Sequence, residues 1–284
     1  MEVQKEWWKT QLATDIHETL RTKEAELPPF KGLSPQLGLR RYLVDWLSII
    51  NEKQGVHCTA LHLAVYLLDQ FMDSYDIQES RMHLVALGCL LVACKFEEEE
   101  RRVPRIKKLN QYVREVYSEE EYLQMELTIL KFFQWNISLP TPAHFLDYYM
   151  TEGVSQSDLH AGYPVCSVNK SRLYLEKYCH YFLEVSLQDH CFLVFRPSVI
   201  AAACVAASRI CLHLSPTWTS RLHGITGYRW DHIAPCIETM LKVHEMDVKA
   251  TKTSKDTKDN VSSAMMYERG KHSGYNRGYA VCIS

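Results

Sequence analysis

The chain has 284 residues, 46% of them hydrophobic and 23% charged, and a formal net charge of −2. That composition suits one or two folded domains and excludes low-complexity or collagen-like chains. A pI near 6.7 supplies no field that would favour nucleic acid.

No apolar run reaches the length of a membrane span. The charged start, Met1 to Glu6, lacks a signal-peptide pattern. The expected location is the nucleus and/or cytoplasm, with no membrane partner. The 10 cysteines include no Cys-x-x-Cys pair. They read as reduced thiols acting as small apolar side chains, so neither a disulfide framework, a metal site nor a cofactor is expected.

Taken in order, residues 5–25 place Trp8, Leu12, Ile16 and Leu20 at a four-residue spacing, predicting a helix that Pro28 and Pro29 end. Residues 28–35 read as a loop. Residues 36–53 and 58–73 carry apolar faces at helical spacing, separated by Gly55. Residues 81–96 are different. From Leu84 to Cys94 no side chain is polar, so this helix is apolar all round and predicted to be central. Its small residues, Ala86, Gly88, Cys89, Ala93 and Cys94, admit close neighbours. It stops at Lys95-Phe96, before the glutamates Glu97 to Glu100.

The basic stretch from Arg101 to Lys108 reads as a solvated loop and helix start, with a nuclear localisation signal as the alternative. A helix is predicted over 105–116. Ser118 and Glu121 form a capping box for the next one, with Leu123, Leu127 and Leu130 as its apolar positions. Leu139-Pro140-Thr141-Pro142 marks a boundary. Helices then follow over 142–151, 170–187, 198–213, 217–224 and 228–248, with a loop at 152–168. The 198–213 helix is again apolar nearly all round. It stands third in its half, as 81–96 does in the first, which makes two five-helix halves.

The predicted organisation is therefore all-α: an N-terminal helix and linker over 1–35, helical units over 36–138 and 139–250, and a disordered tail over 251–284. The tail is too polar for burial to offset ordering entropy. No phosphate loop, nucleophile elbow, zinc-protease or kinase motif is present. Adjacent glutamates such as Glu97 to Glu100 point in different directions and do not converge like a catalytic pair. The chain reads as a binding protein, not an enzyme.

Several spaced blocks then resemble the cyclin family. Arg40-Arg41-Tyr42-Leu43-Val44-Asp45-Trp46-Leu47 resembles the opening cyclin-box signature. Leu61 to Val65 with Asp69 and Phe71, Leu90 to Glu98, Met125-Glu126, and Leu139 to Pro142 follow in the family's order. Cys94 stands where serine is usual. The Trp7-Trp8 start, Ser34 to Leu37 and Phe182 to Asp189 resemble one branch of the family.

The resemblance implies two cyclin boxes and a cyclin-dependent kinase as heterodimer partner, activated in cell-cycle control. It implies a structural ion pair between Arg40 and Asp69 and a core leucine at Leu84. It implies a kinase contact made by Lys95 and Glu126, framed by Phe96, Trp135, Ile137 and Ile16. Pairing of Lys95 and Glu126 with each other alone is the competing reading. A groove of Leu39, Tyr42, Leu43, Trp46 and His83 falls where many cyclins dock kinase substrates. Here Tyr42, Glu79, His83 and Ile49 depart from the family's pattern, which counts against that docking. A kinase-independent scaffold and a nucleic-acid-binding core like that of the general transcription factor B family remain as alternatives.

Overall fold

The computed structural model describes residues 6–262. Eleven helices carry the fold, in two five-helix units behind a leading helix α1 (Ala13–Ala25). The first unit holds α2 (Arg40–Gln54), α3 (Cys58–Ser74), α4 (Met82–Glu97), α5 (Ile106–Asn110) and α6 (Glu119–Phe132). The second holds α7 (Pro142–Met150), α8 (Val168–Gln188), α9 (Pro197–Cys211), α10 (Ser220–Thr226) and α11 (Trp230–Ser262).

The two apolar helices are central, as their sequences predict. α4 packs against α3 and α6, and α9 against α7, α8 and α11. Every α4 residue from Leu84 to Cys94 is buried, with Leu84 in the first core. Gly88 has a specific use there. A Cβ built on it would lie 2.8 Å from Met125 Cγ and 3.0 Å from Ile129 Cδ1, so α6 rests on bare α4 backbone. The described cysteines are free. Burial pushes the Cys94 and Cys179 thiols up to about 12, leaving them protonated packing groups.

Local punctuation follows the residues. Gly55, at φ 66°, ends α2 in the left-handed region that glycine adopts without strain. Pro142 and Pro197 sit at the first positions of α7 and α9, where the missing N–H costs nothing. Ser118 Oγ accepts from Glu121 N at 3.2 Å, and Glu121 Oε2 accepts from Ser118 N at 2.9 Å, completing the capping box.

Four expectations are corrected. The helix predicted over 105–116 ends at Asn110, because a short 3-10 turn and left-handed Arg114 and Glu115 follow. The predicted loop at 152–168 contains β1 (Leu159–His160) and β2 (Tyr163–Pro164), which join β3 (Leu214–Ser215) in a small antiparallel sheet with β1 central. On α6 the buried side chains are Tyr122 and Ile129, with Met125 packed between, while Leu123 is exposed. Finally, α11 extends to Ser262, past the helix end predicted at 248. The rest of the expected tail, 263–284, lies outside the described residues.

α1 also docks differently from its apolar pattern. Its buried residues are His17 and Glu24, and Leu12 is exposed. Glu24 accepts from Ser198 N at 2.9 Å and Ser198 Oγ at 2.5 Å, at the N-terminus of α9. Its carboxylate thus serves as a helix cap supplied from another helix. Arg21 bonds Ser198 Oγ at 2.6 Å and also meets the Tyr228 hydroxyl. His17 Nε2 lies 2.9 Å from Tyr149 Oη, and burial lowers its pKa to about 4. The leading helix is held to the second unit by polar bonds.

Candidate functional site

Lys95 occupies the last turn of α4, where a cation complements the helix dipole. Its Nζ donates to Glu126 Oε1 at 2.7 Å and Oε2 at 2.8 Å. The Lys95 side chain is 46% exposed and that of Glu126 14%, so the pair stands at the surface on two rigid helices. Gly88 lies two turns before Lys95, on the same α4 face. The close α4–α6 approach that Gly88 permits is what lets the pair meet. Lysine has three N–H donors, and Glu126 keeps spare lone pairs, so both can engage a further partner without separating.

Apolar side chains frame the pair. Phe96, next to Lys95, is 44% exposed. Leu123, one turn before Glu126, is 49% exposed. The sequence pattern took Leu123 only as an apolar position of the helix, so its place beside Glu126 was missed. The signal was present in the spacing, since Leu123, Glu126, Leu127 and Leu130 share one helix face.

Trp135 is 65% exposed and has φ 62°, following Gln134 at φ 52°. Its N–H donates to Leu130 O at 2.8 Å, closing the turn after α6. A left-handed, non-glycine residue costs roughly 1–2 kcal/mol. Ile137 is half-buried against the first core. Ile16 is half-buried on α1. Lys23, two turns further along α1, donates to Ser138 Oγ at 2.6 Å, which ties α1 to the turn holding Trp135 and Ile137.

The Arg40–Asp69 pair forms as the resemblance implies. Arg40 donates to Asp69 through Nε at 2.7 Å and a terminal nitrogen at 2.9 Å, and both side chains are buried. Its third bond goes to Gln188 O at 3.0 Å, the end of α8. Burial holds the Asp69 carboxyl above the ordinary carboxylate range, opposed by the Arg40 guanidinium. This pair therefore joins α2, α3 and the second unit.

The five candidate groove residues divide. Leu39 and Tyr42 are exposed and Trp46 is half-buried, but Leu43 is buried in the core and lies beneath the surface. His83 is engaged by both aromatics, 3.1 Å from the Tyr42 hydroxyl and in edge contact with Trp46 at 4.8 Å between ring centres.

The glutamate run diverges. Glu97 faces His144 Nε2 at 3.1 Å, Glu98 accepts from His57 N at 2.6 Å, and Glu99 meets Arg101 at 2.6 Å. The buried Arg209–Asp158 pair was not foreseen. Arg209 donates to both Asp158 oxygens, at 2.8 and 3.1 Å, and to the carbonyls of Gly153, Pro216 and Thr217. It pins the small sheet to α9 and contributes nothing to the surface pair.

Two five-helix units are joined by a buried arginine, and the first carries a charged pair at its surface beside exposed apolar groups. Residues 15–138 match the family model for the cyclin N-terminal domain, and residues 140–269 that for the cyclin C-terminal domain. The chain belongs to the cyclin family.

Within that family it is similar to cyclin-J, whose branch the Trp7-Trp8 and Phe182 to Asp189 segments resemble. Identity to cyclin-J of Xenopus laevis is 50% over 272 residues, covering 94% of this chain and 71% of the relative. For cyclin-J of Homo sapiens it is 51% over 254 residues, covering 88% and 65%. For the cyclin-J-like protein of Mus musculus it is 46% over 251 residues, covering 86% and 65%. The chain thus spans between 65% and 71% of these relatives' lengths. A viral cyclin of herpesvirus saimiri shares the fold, with TM-score 0.64 and 16% identity over 79% of this chain and 94% of that one.

Proposed function

We propose that this chain is the regulatory subunit of a cyclin-dependent serine/threonine kinase, binding and activating it in cell-cycle control and acting in the nucleus and/or cytoplasm. The observation that carries this reading is the Lys95–Glu126 pair, held on two packed helices, with exposed Phe96 next to Lys95, exposed Leu123 one turn before Glu126 and exposed Trp135 in the turn after α6. Both ends are ordered before contact, so little side-chain entropy is lost on binding. Lys95 can donate to carbonyls that end a kinase helix, and Glu126 can accept from backbone N–H groups. Once a partner covers them, these apolar side chains exclude water and strengthen both. Another structural relative is a chain of the CAK complex of Chaetomium thermophilum bound to ATP-γ-S, with TM-score 0.54 and 16% identity over 81% of this chain and 72% of that one. The chain supplies no chemistry in this reading. Catalysis belongs to the partner.

The test is capture of purified cyclin-dependent kinases on the immobilised chain, with histone kinase activity measured on the beads. Wild type is expected to hold active kinase. Lys95→Ala/Glu126→Ala is expected to lose about 2–5 kcal/mol of binding. Kinase bound without activity would make the chain a scaffold. Unchanged binding in the folded double variant would refute the role of the pair.

A further inference from the structure

On the second box a cavity of about 510 Å³ lies where the loop after α7 meets the first turns of α8 and the start of α10. Arg172, Arg221, Ser155, Ser157, Gln156 and Asn169 line it, and Val168 is the one apolar member. None of the lining residues is a carboxylate. Ser155 is half-buried and the other five polar residues are exposed.

Two arginines from different helices are brought to one loop. Arg172, on α8, donates through a terminal nitrogen to Val154 O at 3.4 Å. Arg221, on α10, reaches Glu152 Oε2 at 3.5 Å. Both guanidinium groups therefore stand beside residues 152–154, immediately before Ser155. Both contacts are long, since a charged N–H donor usually approaches a carboxylate to about 2.7–2.9 Å. Each guanidinium has several further N–H groups to offer. Among the described residues Arg172 makes no ion pair, and Glu152 is the one carboxylate paired with Arg221. The loop itself is fixed. Ser155 N donates to Asp158 Oδ2 at 2.9 Å, and Ser155 Oγ lies 2.8 Å from Ser157 Oγ. Asp158 is held in turn by Arg209 and is 1% exposed, so its charge is taken up inside the fold.

We infer that this cavity is a binding site for a phosphate monoester, whose dianion is held between Arg172 and Arg221 with the Ser155 and Ser157 hydroxyls as further donors. Charge and geometry select this class. Two guanidinium forks match the charge of one monoester, about −1.5 to −2 at pH 7, and its three terminal oxygens. A carboxylate brings less charge and fewer oxygens. Nucleic acid binding is driven by a longer run of cations than two. An apolar ligand would find only Val168. The monoester can be carried by a serine side chain of another protein or by a small molecule, and the experiment separates these sources. The site is built from elements that carry neither Lys95 nor Glu126 and does not rest on the kinase reading.

The full chain is titrated with O-phosphoserine and with a phosphoserine heptapeptide otherwise made of Gly and Ala, followed by amide NMR at about 0.15 M salt, where loose surface attraction is screened. At least one probe is expected to bind with Kd below about 1 mM and to shift the amides of Ser155, Ser157 and Asn169. Arg172→Gln and Arg221→Gln should each weaken binding about tenfold or more. Arg221→Lys, which keeps the charge and loses the fork, should fall between Arg221→Gln and wild type. Glu152→Gln removes the carboxylate that competes for Arg221 and should tighten binding by about two- to fivefold. O-sulfoserine, of the same shape and with less charge, should bind several-fold more weakly. Binding of both probes would name small phosphorylated molecules as a source, and binding of the peptide alone would name phosphorylated proteins; either upholds the monoester site. Should Arg172→Gln fail to fold, the exposed Arg221 and Glu152 variants carry the test. Absence of binding below about 1 mM for both probes would overturn the assignment. So would binding that Arg221→Gln leaves unchanged, or acetate, O-sulfoserine or duplex DNA binding as tightly as the phosphorylated probes.

Discussion

Replacing Arg40 with alanine should unfold more than one side chain's worth of structure. The arginine makes two buried bonds to Asp69 and a partly buried one to Gln188 O. Removing it leaves a buried carboxylate and a carbonyl without donors. Breaking a buried pair in this way costs about 3–5 kcal/mol, a large share of the ~5–15 kcal/mol that stabilises a domain. Arg40→Met/Asp69→Leu, which removes both charges, should recover most of that loss. The sign of the pH dependence is also set. Burial already raises Asp69, and loss of Arg40 removes the main opposing force. Above the unfolded carboxylate range, near 3.9, the variant's folded state binds more protons than its unfolded state, so its stability falls as pH rises through the folded value. Urea unfolding of wild type, single and double variants at pH 5 and pH 7 measures all of this. The deficit of Arg40→Ala should be larger at pH 7. A double variant as unstable as the single, or a deficit independent of pH, would refute the account of the pair as a compensated buried charge.

Other perturbations probe the surface pair and the core. Gly88→Ala places a methyl within 3.0 Å of Met125 and Ile129. It should cost about 1–3 kcal/mol by overpacking, partly offset by up to ~1 kcal/mol of helix propensity, and should weaken kinase capture by moving α6. Unchanged capture would show that the α4–α6 spacing is not critical. Trp135→Gly relieves left-handed strain and should hold or raise thermal stability while reducing kinase binding. A fall in both would mean the indole is structural. Burial drives the His62 pKa down to about 3. Its unfolded state takes a proton near pH 6.5 that the folded state refuses, so stability falls as pH falls, by up to about 2 kcal/mol between pH 6.5 and 5. His62→Gln should flatten that slope in urea titrations, and an unaltered slope would contradict the assignment.

Much of this architecture was legible because burial leaves a compositional trace. A helix surrounded on all sides cannot carry polar side chains, so Leu84 to Cys94 and Ile200 to Ala207 announced the centres of both boxes. The capping box at Ser118 was readable because its bonds are local. Interactions between distant segments left no such trace. Glu24 reaches Ser198 across 174 positions and Arg209 reaches Asp158 across 51. Neither carboxylate differs in its local pattern from a solvated one. On α6 the helical period fits two adjacent stripes, Tyr122–Met125–Ile129 and Leu123–Leu127–Leu130. Only the position of Gly88 on the neighbouring helix chooses between them.

That choice has a functional consequence. Because α6 turns Met125 and Ile129 toward the bare backbone at Gly88, its leucine face is left flanking Glu126. The same rotation sets Glu126 within bonding distance of Lys95 and sends the chain into the left-handed turn that presents Trp135. One absent side chain in the core therefore orders the charged pair and part of its apolar frame together. A change at Gly88 should disturb Lys95, Leu123 and Trp135 as a unit, and double-mutant cycles between Gly88→Ala and Lys95→Ala in kinase binding should be non-additive. Additive losses would show that the pair is positioned independently of the helix contact beneath it.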